Sequence, residues 1–398
     1  MSDNGLNTQE SRSITEIFRT FLLLGLTSFG GPVAHLGFFQ TTFVEQKRWL
    51  SSSAYAELVA LCQFIPGPAS SQVGFAIGLH RAGLGGAIAA WVGFTLPSAM
   101  LMWLLGVSLF HLDLSSYQGV LQGLKITAVA VVAWALWGMA KSLTPDLPRR
   151  GIAVLGAFIA LFVPGVFGQL GALCCGALLA LILLTPKQPN TQVDGLNIHL
   201  SKSIAWTAGL LFIAGLILLP VIAISSGHSF WLLSDSMYRA GSLVFGGGHV
   251  VLPLLHAETV NQQLITADNF LAGYGAAQAM PGPLFSFSAF IGAQASGSLG
   301  ALIALISIFL PGCLLLLTIL PIWQAVRTNP RLQQLLLGVN AAVVGLLAAA
   351  LYNPVITAGI RDWKDALLAC VLLGLLASGR VPVLLLVPMG AIAGWLFL

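Results

Sequence analysis

Phe29-Gly30-Gly31 and Pro66-Gly67-Pro68 each interrupt the middle of an apolar run, and they return as Phe245-Gly246-Gly247 and Pro281-Gly282-Pro283 at offsets of 216 and 215 residues. The correspondence extends outward from them. Val44 answers to Val260, Gln63 to Gln278, Ile77-Gly78 to Ile291-Gly292, Pro97 to Pro311, and Gly123-Leu124-Lys125 to Gly338-Val339-Asn340. The chain therefore reads as two diverged copies of one unit, roughly 17–184 and 232–398, with a single unrepeated apolar span from Ile204 to Ile224 between them. This divides it into an N-terminal repeat with its polar leader (1–203), a linker span (204–231) and a C-terminal repeat (232–398).

Composition names the solvent. The 398 residues are 57% hydrophobic and only 8% charged, with a mean hydropathy of +0.91, where a soluble domain carries about 25% charged residues. Hydrocarbon offers no partner to backbone N–H and C=O groups, so the expected fold is all-α and polytopic, with the lipid bilayer as its partner. Apolar runs centred near residues 30, 67, 97, 130, 157, 175, 213, 247, 281, 311, 342, 372 and 390 make about thirteen segments. Four of them, Gly151 to Val163, Val166 to Leu184, Ala366 to Ser378 and Val381 to Leu398, are bounded by proline or a sharp turn and read equally as short hairpins. Met1 to Ser13 is polar without a cleavage site, so no removable signal is expected. Cys62, Cys174, Cys175, Cys313 and Cys370 lie in apolar runs without metal-ligand spacing, which points to no metal and no cofactor. A net charge of +4 spread over short loops argues against nucleic acid.

If each half crosses six times, the unpaired span turns the second copy upside down. The basic residues test this through their preference for the cytoplasmic side. With the N-terminus inside, eleven fall inside (Arg12, Arg19, Arg81, Lys141, Arg149, Arg150, Lys187, Lys202, Arg327, Arg331, Arg380). Five fall outside (Lys47, Arg48, Arg239, Arg361, Lys364), and Lys125 lies within a span. The segment from Ala257 to Asp268 is expected inside, yet it carries Glu258 and Asp268 and no base.

Inverted repeats with broken helices place a solute site near the bilayer midplane. Proline removes a helical hydrogen bond and glycine permits unusual backbone angles, so each break ends one half-helix and starts another. The new start presents free N–H groups and a partial positive charge, which suit an anion. The candidate anion site therefore takes Gly30, Gly31, Pro66, Gly67, Pro68, Gly246, Gly247, Gly248, Pro281, Gly282 and Pro283. Ser70, Ser71 and Ser286 join them as hydroxyl donors just downstream, with Gln72 and Ser288 nearby. The same residues would serve plain kinks whose serines bond back to their own helix. Lys125 has no acid in its own run, and reads either as an unpaired cation awaiting an anion or as a side chain snorkelling to the outer interface. Arg239 faces the same cavity or the interface. His35, Glu57, His249, His256 and Glu258 are candidates for proton coupling, each with a structural role as the alternative. Trp49 and Trp231 read as interfacial anchors.

The glycine pair, Val44, Trp49, Pro66-Gly67-Pro68, Gly78 and Gly86, in that order, resemble the signature of the chromate ion transporter family, in its long-chain, two-half form. The second half carries Gly246-Gly247 and Pro281-Gly282-Pro283 but has Ile265 near the tryptophan position. The resemblance implies efflux of chromate from the bacterial cytoplasm across the inner membrane, driven by the membrane potential or proton gradient, with sulfate as competitor. A sulfate or other oxyanion carrier would use the same donors. An intramembrane enzyme would need an Asp-rich, His-Glu-x-x-His or Gly-x-Ser-x-Gly element within the spans, and none occurs. The oligomeric state is left open, a homodimer included.

Overall fold

The computed structural model describes residues 13–111, 118–163, 165–185, 198, 200–245 and 251–397. These are helical throughout. The first half comprises α1 (Ile14–Thr27), α2 (Gly31–Gln40), α3 (Ser52–Phe64), α4 (Ala69–His111), α5 (Gln118–Leu143), α6 (Leu147–Phe162) and α7 (Gly165–Leu183). After the linker α8 (Lys202–Ser226) come α9 (Ser229–Leu243), α10 (Val251–Thr259), α11 (Ala267–Ala277), α12 (Phe287–Ile319), α13 (Trp323–Arg327), α14 (Pro330–Ala350), α15 (Thr357–Gly359), α16 (Trp363–Ala377) and α17 (Val383–Phe397). Five stretches are long and apolar enough to cross a membrane: Ala69–Ser108, Gln118–Leu143, Lys202–Ser226, Leu284–Ile322 and Pro330–Gly359.

That number falls below thirteen for two equal reasons: four runs lie around the breaks and do not form single long helices, and the four weak runs form α6, α7, α16 and α17, of 15 to 19 residues. α1 has 14 residues, about 21 Å of rise, short of a hydrocarbon core of about 30 Å. Its C-cap Ser28 is extended, Gly30 takes φ +100, and the chain turns back. Phe21 of α1 stacks on Phe43 at 4.9 Å, and Lys47 reaches Glu16 at 2.9 Å. Lys47 therefore shares an end of the bundle with the start of α1, which corrects its expected position on the opposite side. The next pair of arms, α3 and the first part of α4, also returns to that end. Phe43 stacks on Trp49 at 5.0 Å, and Arg81 lies over Trp49 at 4.8 Å. The expected anchor Trp49 is buried at this end of the bundle beneath Lys47 and Arg81.

α4 reverses at Ala82 and Gly83 (φ +61), and α12 does so at Ser296 and Gly297 (φ +67), an offset of 214. The helix resumes beside Ile14, which a side chain on Gly85 would touch at 3.0 Å. Twenty residues further along α4, Trp103 donates from Nε1 to Oγ of Ser298 at 3.0 Å. The two equivalent reversals therefore sit at opposite ends of one helical segment, about 29 Å apart. Gln294 Nε2, donating to Gly106 O at 2.6 Å, marks the same far end.

The last two helices of each half pack on the opposite half: α6 and α7 on α14, α16 and α17 on α5. Small residues make the crossings close, as lipid-embedded packing requires. A side chain on Gly123 would overlap the Gly390 backbone, and one on Gly338 would overlap the Gly176 backbone, the same crossing in each half.

Candidate functional site

The two Pro-Gly-Pro loops interlock with the first helix of the other half. Gly67 N donates to Val244 O at 2.7 Å, just past α9, and Gly282 N donates to Ser28 O at 2.9 Å, just past α1. Positions 28 and 244 correspond at 216, 67 and 282 at 215, so the two bonds are one contact made twice. Gln72 Nε2 ties the first loop down, donating to Pro66 O and to Gly312 O, both at 3.0 Å. The second loop is seated on α1 and α4: a side chain on Gly282 would meet Phe94 O at 3.0 Å, Ser98 Oγ at 3.1 Å and Gly25 O at 3.3 Å.

Around Gly282 the first half gathers polar groups. His35, in the second turn of α2, lies beside the Ser28 backbone. Its Nδ1 is 3.3 Å from Oγ of Ser70, in the first turn of α4, and its ring meets Phe94 edge-on at 5.2 Å. Ser98 Oγ donates to Thr95 O at 3.1 Å. Ser28, His35, Ser70, Ser71, Thr95 and Ser98 are all buried. The Ser28, Ser71 and Thr95 hydroxyls have no hydrogen-bond partner among the described residues. A buried hydroxyl without a partner costs about 1–3 kcal/mol, so these three stand out as unsatisfied groups of the first half.

The second half lacks this cluster. Its counterparts to Ser28, His35, Ser70, Thr95 and Ser98 are Val244, Val251, Phe285, Phe309 and Gly312. Only Ser71 has a like partner, Ser286, whose Oγ donates back to Pro283 O at 2.8 Å. Ser288 is buried without a partner among the described residues. Reading single motifs missed Ser28, Thr95 and Ser98, because isolated serines and threonines carry no signal. Aligning the halves position by position exposes them as polar residues whose repeat equivalents are apolar.

Other expected residues go elsewhere. Gly246, Gly247, Gly248 and His249 lie outside the described residues. Lys125 is not unpaired: its ammonium, 2% exposed, sits 2.7 Å from Oδ1 of Asp268 at the start of α11. Pro281, Gly282 and Pro283 follow the other end of α11, so Lys125 is not joined to the breaks. The pairing also brings Asp268 to the far end of the bundle, beside the first turns of α5, which corrects its expected position with the N-terminus. Arg239 faces inward and pairs with Asp235 at 2.8 Å and Glu258 at 2.9 Å. His256 is half-buried, edge-on to Phe270 at 5.4 Å, and Glu57 is buried on α3.

No solved structure matches the chain. It is 29% identical to the chromate transport protein of Pseudomonas aeruginosa over 85% of this chain and 80% of that one. It is 28% identical to a probable chromate transport protein of Synechococcus elongatus over 100% and 98%. An uncharacterized transporter of Methanocaldococcus jannaschii is 27% identical over 99% and 96%. The chromate transporter family model matches residues 15–185 and 231–395, both halves around the linker helix; the chain belongs to the chromate transporter family.

Proposed function

We propose that this chain is a secondary transporter that exports chromate from the bacterial cytoplasm across the inner membrane, driven by the proton motive force. The observation that carries the binding site is the first-half junction: two half-helix N-termini, at Gly31 and Ala69, beside buried hydroxyls of Ser28, Ser71 and Thr95 without partners among the described residues. A tetrahedral dianion accepts hydrogen bonds on every oxygen, so it satisfies those donors and the partial positive charge of the helix starts together. Gly282, anchored to Ser28, brings the second half to the same spot. Its Pro-Gly-Pro loop and that at Pro66 to Pro68 are the hinges through which the halves move against one another.

The halves are read as inverted in the membrane, with the N-terminus cytoplasmic. Equivalent reversals at opposite ends of α4 support this, and so does charge. With Lys47 and Arg48 moved to the end that Glu16 occupies, the count expected from the sequence becomes thirteen basic residues on the N-terminal side against three on the other, with Lys125 within a span. The repeat boundaries of 1–203, 204–231 and 232–398 follow.

Everted vesicles containing the protein should accumulate chromate when energised, and cells expressing it should survive chromate better. Vesicles that take up none would sink the reading. Replacing Ser28 and Thr95 together, by alanine and valine, should raise the KM for chromate about tenfold. Unlabelled sulfate, molybdate and phosphate, added in turn, identify which oxyanion the site prefers; a site that sulfate saturates and chromate does not would make this a sulfate carrier.

A further inference from the structure

Arg239 spans the two arms of one hairpin. From α9 its guanidinium reaches Asp235 one turn back at 2.8 Å and Glu258 on α10 at 2.9 Å, with the carboxylate side chains only 4% and 2% exposed. The second oxygen of each acid, Oδ1 of Asp235 and Oε1 of Glu258, is buried without a hydrogen-bond partner among the described residues. Glu258 Oε2 also accepts from Gln262 Nε2 at 3.3 Å. Two acids and one base enclosed together leave one negative charge, which a low-dielectric site tolerates poorly until a proton joins it.

The other half supplies the comparison. The 216-residue offset puts Arg19, Leu23 and Thr42 where Asp235, Arg239 and Glu258 stand. There the arms α1 and α2 flank an open cleft of about 1110 Å³, with Arg19, Thr20, Leu23, Thr27, Phe38 and Thr42 among its walls. Ser236, the counterpart of Thr20, is instead fully buried at 0%. The two hairpins thus carry their cross-arm ion pairs at different places, Lys47–Glu16 at the start of α1 and Arg239–Glu258 further along α9, which α8 also covers.

We infer that Asp235, Arg239 and Glu258 form a proton-binding latch that holds the α9–α10 hairpin closed. Deprotonated, Glu258 holds the guanidinium across the groove while Asp235 steadies it from the same helix. A proton taken up on the free Oε1 of Glu258 weakens the tie between the arms and lets them part. Among the described residues, the titratable groups at this place are few. α9 supplies Asp235 and Arg239, and α10 supplies Glu258 and His256, the latter against Phe270. Of the other helices packed on these two, α7 and α12 carry no Asp, Glu, Lys, Arg or His, α8 and α14 carry one base each in their first turns, Lys202 and Arg331, and α11 carries Asp268, which is paired with Lys125. The inference rests on the proton-driven reading above and assigns the proton to Glu258.

The test uses the full chain in liposomes, with three readouts: chromate exchange without a gradient, chromate accumulation driven by a pH gradient, and labelling of Ser236→Cys by a membrane-impermeant maleimide in a background without other cysteines. Acidifying the medium on the α9–α10 side should speed labelling about tenfold. With Glu258→Gln, labelling should be fast at either pH, exchange should persist, and gradient-driven accumulation should be lost. Full pH-driven accumulation in Glu258→Gln overturns the latch. So does labelling that is equally slow at both pH values in all backgrounds. If Glu258→Gln loses exchange as well, the pH response of Ser236→Cys alone decides, and its absence overturns the inference. If the protein with native Asp235 and Glu258 shows no pH-driven accumulation, the proton-driven reading has failed, and the labelling contrast still tests the latch.

Discussion

Replacing Gly67 by alanine tests the interlocked loops most directly, because its cost can be built from separate parts. Gly67 has φ +130, a conformation that costs an L residue about 1–3 kcal/mol. A Cβ there would lie 3.0 Å from Gly312 Cα and 2.5 Å from Gln72 Nε2. Gln72 must then withdraw from Pro66 O and Gly312 O, and two such bonds are worth about 1–3 kcal/mol together. The expected loss is about 2–6 kcal/mol. Gly282→Ala falls in the same range, since φ +84 is joined by close contacts to the Phe94 and Gly25 carbonyls, which have little room to move, and overpacking of that kind costs about 1–3 kcal/mol. Gly83 supplies the control: it has φ +61 and ψ −155 with nothing within 4 Å of an added Cβ, so Gly83→Ala carries strain alone, about 1–3 kcal/mol. Unfolding midpoints in detergent should rank Gly83→Ala above the other two, and everted vesicles should lose chromate uptake with Gly67→Ala and Gly282→Ala but keep it with Gly83→Ala. If Gly67→Ala matched Gly83→Ala in both stability and uptake, the loops would not be the tight, cross-tied hinges described.

Asp268→Asn leaves the buried Lys125 ammonium without its partner and should lower stability by about 1–3 kcal/mol, less than a fully enclosed pair because Asp268 is 69% exposed. Lys125→Met removes the buried charge itself and should be near neutral in the same thermal denaturation; equal losses would refute the asymmetry. Gly176→Leu and Gly390→Leu should each prise an exchanged hairpin from its helix, since even a Cβ at Gly176 meets Ala342 Cβ at 2.7 Å and one at Gly390 overlaps Thr127 Oγ1. Each should cost about 1–3 kcal/mol or more by unfolding midpoint. Severing the chain between residues 186 and 197 should leave neither part able to transport alone, because α6 and α7 pack on α14 and α16 and α17 on α5. Co-expression of both parts should restore chromate accumulation in vesicles, and full activity from a single part would contradict the exchange.

The repeat and the breaks were legible because glycine and proline constrain the backbone wherever they fall. Gly67 and Gly282, identified by spacing, do take positive φ and do bond across the halves. The path of the arms was not legible. A hydropathy window measures composition over about 20 residues, and α1 with α2 presents the same composition whether the chain passes through the bilayer or turns back at Gly30. The deciding facts are pairings between distant residues: Glu16 with Lys47, 31 apart, and Lys125 with Asp268, 143 apart. No run contains both members of the second pair, so Lys125 looked uncompensated. Once Lys47 and Arg48 are moved to the N-terminal end, the charge asymmetry that suggested inversion becomes stronger.

Duplication also explains why the site was only half legible. Motifs common to both halves report what the hinge needs, and they lead to Gly67 and Gly282 alike. On the proposed reading a single substrate bound between two diverged halves needs its donors once, so the residues proposed to hold it are ones that the repeat does not preserve. Ser28, His35, Thr95 and Ser98 stand opposite Val244, Val251, Phe309 and Gly312. Arg239 and Glu258 likewise stand opposite Leu23 and Thr42. The two sets of polar exceptions fall in different halves, hydroxyl donors in the first and the ion-paired cluster in the second. On the proposed reading that separation suits coupling, with the oxyanion and the proton at distinct places, and the reciprocal bonds of Gly67 to Val244 and Gly282 to Ser28 join the two halves between them.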